Sequence, residues 1–265
     1  MNQEEYRQAP AIAQSDLKLI LKSPLHYIHR DKLHGQETPA MRLGSAFHSA
    51  VLEPMKFKQD YLQLPSTMPN GEPINRRKKA DKAYLEEIAL ANPDKIALTE
   101  DEMDTLTGML NSLLDNPIAN SLFKGGISEI SKFWKNGNWE CKGRCDYFQE
   151  SHDLGKNILV ELKTALDASP HGFAREVLNR GYDFQASWYR EGFQAERVIF
   201  VVVEKTFPYA IGVYDMAEWL PHGDKQIALA FDKLEKLEEN NGISYGYTET
   251  LEMLQVPSWI AAQGE

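Results

Sequence analysis

Residues 157–169 read NILVELKTALDAS. Ile158, Leu159, Val160, Leu162 and Thr164 suit a buried strand, yet Glu161 and Lys163 stand in the middle of the run. Residues two apart on a strand share a face. Leu159, Glu161 and Lys163 therefore point one way, and Ile158, Val160, Leu162 and Thr164 point the other, into a core. The stretch 138–149, NWECKGRCDYFQ, divides similarly. Glu140, Lys142, Arg144, Asp146 and Phe148 share one face; Trp139, Cys141, Gly143, Cys145 and Tyr147 share the other. If the two strands are neighbours, Asp146 faces Glu161 and Lys163. Two carboxylates and a lysine on one sheet face suit a hard divalent cation, which takes oxygen ligands together with waters and a substrate phosphate. Such a cation polarises a phosphoryl oxygen and acidifies a bound water, while a lysine beside it stabilises developing negative charge. The same spacing also fits a cross-strand salt bridge on a solvated face. Spacing alone leaves both readings open.

The segments around these strands alternate in character. Residues 14–30 have helical apolar spacing, with Ser15 as the expected N-cap and Pro24 as a break. Residues 39–53 form a second helix, with Pro39 in its first turn and Pro54 past its end. A loop containing Pro54, Pro65, Pro69 and Pro73 is expected next. Amphipathic helices follow at 75–91 and 99–115, the second opened by the start signal Thr99 to Glu102. Beyond Gly125-Gly126, strands at 127–135 and 138–149 join through Asn136-Gly137, a strong hairpin signal. A polar loop, ESHDLGK, leads to the strand at 157–164. Helical stretches at 170–179 and 182–195 precede the apolar run RVIFVVVEK (197–205) and its expected hairpin partner at 209–216. Residues 217–240 read as helix, and the last stretch, TLEMLQVPSWI, has no clear assignment. The fold class is α/β or α+β, a mixed sheet flanked by helices. Three parts of one globular domain are expected: a helical part at 1–125, a core at 126–216, and a helix with an acidic tail at 217–265.

The composition is that of an ordinary globular chain: 265 residues, 42% hydrophobic and 26% charged. No apolar run approaches the roughly 20 residues of a membrane span. The opening residues, MNQEEYRQAP, lack a signal-peptide layout, so a soluble cytoplasmic protein without a membrane partner is expected. Cys141 and Cys145, four apart on a strand, lie about 13 Å from one another, too far for a disulfide. The net charge of −10 weighs against a nucleic-acid partner at first sight. Residues 215–265, however, hold ten Asp/Glu against three Lys/Arg, a net of −7, which leaves −3 for the rest. Carboxylates that bind a metal also count as negative until the metal arrives.

Asp146, followed fifteen positions later by Glu161-Leu162-Lys163, resembles the PD-(D/E)XK nuclease superfamily. Six segments in order strengthen the likeness: SDLKLILKSPLHY (15–27), LGSAFHSAVLEP (43–54), SEISKFW (128–134), CKGRCDYF (141–148), ILVELKTALDASP (158–170) and GYDFQASWY (181–189). Together they resemble the exodeoxyribonuclease VIII (RecE) nuclease domain and its phage relatives, in the RecB-like branch, from about Ser15 to beyond Glu204.

The resemblance implies a role for each matching residue. Asp146 and Glu161 match the metal-binding acids, joined by the backbone carbonyl of Leu162. Glu161 stands where exodeoxyribonuclease VIII has Asp, and either acid binds a metal. Lys163 matches the lysine at the attacking water. His48 matches a helix histidine that reaches the metal, and Glu129 an acid near a second metal or the water. Gln185 and Tyr189 match a Gln-x-x-x-Tyr helix motif that contacts a phosphate or braces the site. Taken alone, His48 also reads as a packed histidine, and Tyr189 with Trp188 as core. Arg76-Arg77-Lys78-Lys79 reads as a solvated helix start or a contact to DNA phosphates. The resemblance further implies a Mg²⁺ cofactor, with Mn²⁺ able to substitute, and digestion of linear double-stranded DNA from its 5′ ends. It implies a RecT-like single-strand annealing partner and a homo-oligomer, a ring-shaped tetramer. An endonuclease or single-strand exonuclease of the same fold, and a non-catalytic DNA-binding module, stay open beside that reading.

Overall fold

The computed structural model describes residues 1, 3–33, 35, 38–150, 157–248 and 250–256. In chain order come α1 (Gln3–Gln8), α2 (Gln14–Lys22), α3 (Pro24–Ile28), α4 (Pro39–Leu52), α5 (Pro54–Asp60), β1 (Tyr61–Gln63), α6 (Lys79–Leu90), β2 (Ile96–Leu98) and α7 (Glu100–Asp115). Then follow α8 (Pro117–Leu122), β3 (Ile127–Asn136), β4 (Trp139–Gln149), β5 (Ile158–Ala165), α9 (Pro170–Arg180), α10 (Tyr182–Phe193), β6 (Arg197–Glu204), β7 (Ile211–Asp215) and α11 (Leu220–Glu239).

The main sheet has the order β3-β4-β5-β6-β7. Only β5 and β6 run parallel; the other neighbours are antiparallel. A parallel pair needs a crossover, and α9 and α10 supply it. The sheet is buried on both faces. On one, Leu159, Phe148 and Phe200 meet Phe173, Phe184, Trp188 and Phe193 from the crossover, with α2 and α11 adding Leu17, Ile20, Ile227 and Leu234. On the other, Val160, Leu162, Val201 and Val203 meet Phe47 of α4, Met109 of α7 and Ala119 of α8. Each buried Val, Leu, Ile, Phe or Met among them stabilises the fold by about 1.5–3 kcal/mol. This is the expected mixed α/β architecture. Among the described residues, no helix is long and apolar enough to cross a membrane.

Local chemistry explains the boundaries. Thr99 and Glu102 form the expected capping box: the Glu102 N–H donates to Thr99 Oγ1 at 3.1 Å, and the Thr99 N–H donates to Glu102 Oε2 at 2.8 Å. At Gly181, φ is 61°, the left-handed region that glycine tolerates, which ends α9 and lets α10 begin at once.

Some boundaries differ from expectation. Ser15 is not the N-cap of α2; Ala13 holds that place, and its N–H donates to Asp16 Oδ2 at 2.8 Å. Pro54 ends α4 but also opens α5, because proline suits a first helical turn. The proline-containing loop therefore holds α5 and also β1, which pairs in parallel with β2. The 75–91 helix begins only at Lys79, and α8 was not anticipated. In the β3–β4 hairpin, Asn136 pairs with Trp139, so the turn is Gly137-Asn138, with φ 56° at Gly137. Cys141 and Cys145 are free and buried. Residues 151–156 of the ESHDLGK loop, and the end of the chain from 257, lie outside the described residues.

Candidate active site

The seam between β4 and β5 is short. Tyr147, Phe148 and Gln149 pair with Val160, Leu159 and Ile158, and the pairing stops there. Buried backbone N–H groups need acceptors, and beyond the seam carboxylates supply them. The Leu162 N–H donates to Asp146 Oδ2 at 2.7 Å, and the Asp146 N–H donates to Glu161 Oε1 at 3.3 Å. The two acids thus stand in for the missing rungs of the ladder. The β3–β4 edge is disturbed at the same level. Ser128 pairs with Tyr147 and Ile130 with Cys145, while the intervening Glu129 takes φ 56°.

The expected division of β4 holds as far as Cys145 and then slips. Cys141, Cys145 and Phe148 pack with one core cluster, and Tyr147 with the other. Phe148, expected on the face of Asp146, lies with the cysteines instead. The acids therefore do not meet across one solvated face. Glu161 and Lys163 reach toward α10, His48 approaches on α4, and Asp146 bridges the parted strands.

Glu161 is fully buried. Its Oε2 accepts from Lys163 Nζ at 2.8 Å and from Gln185 Nε2 at 2.7 Å. Burial pushes its carboxyl above the ordinary carboxylate range, Asp146 adds to the rise, and Lys163 opposes it. Burial works against the Lys163 ammonium, but Glu161 and Asp146 outweigh it and hold that group above an ordinary lysine. Lys163 also lies 5.4 Å and 5.3 Å from the ring centroids of Tyr182 and Phe200, a cation–π setting. Gln185 is placed by α10, which the Trp188 indole ties to the Lys142 carbonyl at 3.1 Å. Tyr189, one turn further along α10, hydrogen-bonds Gln185, and burial first and the Glu161 charge second raise its hydroxyl well above the ordinary value. It is buried, and its hydroxyl accepts from Gln14 Nε2 at 3.0 Å.

His48 Nδ1 lies 3.7 Å from Asp146 Oδ2, as does Lys163 Nζ. Burial lowers the His48 pKa and Lys163 adds to the fall, against Asp146 and hydrogen bonding to the Leu162 backbone. A neutral imidazole is the ligating form. His48 and Asp146 open onto a cleft of about 590 Å³, whose lining also includes Glu53, Lys56, Glu129 and Arg144. Burial raises the Glu129 carboxyl, Arg144 lowers it, and Asp146 and Glu53 raise it further. A larger cavity of about 800 Å³, between α1, α2 and the β3–β4 hairpin, holds none of these acids.

The donor set suits a hard divalent cation: Asp146, Glu161, the Leu162 carbonyl and neutral His48. Two carboxylates share one lysine here, and a cation would balance the remaining charge. Among the described residues, no three His, Cys, Asp or Glu side chains are already gathered as ligands. Glu161 would exchange a protein partner for the ion.

Arg144, Glu53 and Lys56 were not singled out as site residues from sequence. Arg144 stands two residues before Asp146, a spacing that carried the signal. Lys142, from the same alternation, serves elsewhere: its ammonium caps the carbonyls of Tyr6, Arg7 and Ala9 at 3.0, 3.0 and 2.7 Å. Arg76, Arg77 and Lys78 precede α6 and Lys79 opens it; all four are exposed and none lines the cleft.

A family model described as a PDDEXK-like domain of unknown function (DUF3799) matches residues 13–244. Comparison with curated proteins gives no match. Among solved structures, a protein from Eubacterium rectale described as a "Putative exonuclease" gives a TM-score of 0.52 at 13% identity, over 97% of this chain and 95% of that one. At that identity the likeness is one of fold. A second, described as SSO0001, gives a TM-score of 0.29 at 16% identity, over 80% and 85%, and carries no argument.

Proposed function

Because the chain belongs to the PDDEXK-like DUF3799 family, we propose that its cleft is the site of a metal-dependent deoxyribonuclease. One observation carries this reading. His48 of α4 and Asp146 of β4 meet Glu161 and Lys163 of β5 where β4 and β5 part, and His48 and Asp146 open onto the cleft. A salt bridge on a solvated face needs neither a fully buried acid nor parted strands.

Asp146, Glu161, His48 and the Leu162 carbonyl would hold Mg²⁺, with Mn²⁺ as a substitute. When bound, the ion polarises a phosphoryl oxygen and lowers the pKa of a bound water. Lys163, charged and fixed by Glu161, orients the attacking water and stabilises the charge that develops on the phosphate. Gln185 keeps the Glu161 carboxylate in place. DNA is held mainly by its phosphates, with little sequence preference. The finer reading is a RecE-like exonuclease of phage or prophage type. It digests linear duplex DNA 5′ to 3′, works as a ring-shaped homotetramer, and hands its product to a single-strand annealing partner. The sequence resemblance supports this finer reading.

The test is digestion of linear and covalently closed duplex DNA with Mg²⁺ and with EDTA, with Glu161→Ala and Lys163→Ala beside wild type. Loss of the linear form alone, dependent on Mg²⁺ and abolished by either substitution, is expected. Cutting of the closed circle would replace the exonuclease by an endonuclease. Cleavage of neither form with Mg²⁺ would leave a DNA-binding module in front.

A further inference from the structure

Arg144 is a cation of the cleft held beside its acids. It precedes Asp146 by two residues on β4, about 7 Å along the strand, and lines the same cleft. Its Nε donates to Glu129 Oε2 at 2.7 Å, and its Nη1 donates to Ser131 Oγ at 3.0 Å and to the Met1 carbonyl at 3.4 Å. A guanidinium carries five N–H donors in a rigid fork. Three are used in these contacts. Among the described residues, the Nη2 amino group has no acceptor. The side chain is only 13% exposed. It differs from the exposed surface pairs of this chain, such as Lys135 with Glu140, which are more than half exposed.

Glu129 is shaped to hold it. A non-glycine residue in the left-handed region costs about 1–3 kcal/mol and persists where its surroundings impose it. Here it coincides with the skipped pair between β3 and β4, and the carboxylate that results lies on Arg144. Its nearest partner is thus a cation.

We propose that Arg144 grips a phosphate of the bound DNA strand through its Nη2 edge, and that Glu129 is the positioning residue that aims it. The inference rests on the nuclease reading above. The two Nη2 N–H donors, fixed in the guanidinium plane, offer phosphate oxygens directional hydrogen bonds that a rotating lysine ammonium does not. Once a cation balances Asp146 and Glu161, a phosphate entering from the cleft meets an arginine already immobilised beside it.

The test combines binding with kinetics on linear duplex DNA. Binding is measured against salt concentration with Ca²⁺ replacing Mg²⁺, and single-turnover cleavage with Mg²⁺. Each phosphate contact contributes about 0.9 to the slope of log K against log salt. Arg144→Gln is expected to lower that slope by about 1 and the cleavage rate by about 10²-fold. Arg144→Lys should keep the slope and still lose rate. Glu129→Gln should keep the slope and lose about 10-fold in rate. An unchanged slope in a folded Arg144→Gln protein would overturn the inference while leaving the nuclease reading intact. If Arg144→Gln loses its circular-dichroism melting transition, Arg144→Lys decides, and a wild-type single-turnover rate there would overturn the inference. A wild type that neither binds nor cuts DNA removes both readings together.

Discussion

Along one edge, β5 pairs with β6 over its whole length, Ile158 through Ala165 against Arg197 through Glu204. Along the other, it holds β4 for three residues and then parts from it. The β6 edge is lined by apolar side chains and satisfied by backbone alone. The β4 edge is satisfied by the carboxylates of Asp146 and Glu161. One strand is thus a frame on one side and a reactive seam on the other. The contrast shows how a buried acid can be held rigidly yet remain available. Its position is set by an edge that does no chemistry.

The contrast makes separable expectations, the largest at the seam. Glu161→Gln keeps an acceptor for the Asp146 N–H but removes the charge. It should lower Mg²⁺-dependent cleavage by at least about 10³-fold while the urea midpoint stays close to wild type. A midpoint that collapses with the activity would make the seam a structural feature and erase the distinction. Val203→Ala, on the frame, fully buried and on the face away from Lys163, should do the reverse. A loss of about 1.5–3 kcal/mol in urea unfolding, with near-normal cleavage by the molecules still folded, is expected. Gln185→Ala removes one bond to Glu161 and lies between the two. It should lower the cleavage rate about 10-fold and raise the Mg²⁺ concentration needed for half activity.

Smaller effects belong to α7, away from the seam. Thr99→Ala breaks the capping box and should cost about 1 kcal/mol in urea unfolding. Burial raises the Glu102 carboxyl, but the Thr99 N–H and Arg42 outweigh it and the group lies below its ordinary value of 4.5. Its charged form is therefore favoured by folding. The stability it adds is present above about pH 4.5 and is lost as pH falls through the lower folded value. Glu102→Gln should flatten the acid limb of a stability–pH curve by less than about 1 kcal/mol, with cleavage at pH 8 unchanged. A change in cleavage would mean that α7 and the seam are coupled.

Much of this contrast was legible in the sequence, because period-two alternation marks β5 well. Leu159, Glu161 and Lys163 do share a face, and the unbroken apolar run of β6 reads as a strand buried on both sides. The Thr99 and Glu102 signal is local and survived intact. The slip at Asp146 could not be read the same way. Alternation assumes a continuous strand, and parted strands break it where the acid sits. Nor does a φ of 56° at Glu129 announce itself, since glycine or asparagine usually marks such a position. Pro54 misled because one residue type both stops and starts helices. Arg144 was placed on the right strand, but only its bond to Glu129 sets it apart from Lys142, which alternation had made its equal.

The amide proton of Leu162 has an unusual acceptor, a side-chain carboxylate in place of a neighbouring strand's carbonyl. It therefore acts as a built-in gauge. Its nitrogen–proton resonance and its deuterium exchange rate report directly on where Asp146 points. Whatever draws that carboxylate away would be visible at a single backbone position, without any substrate being turned over.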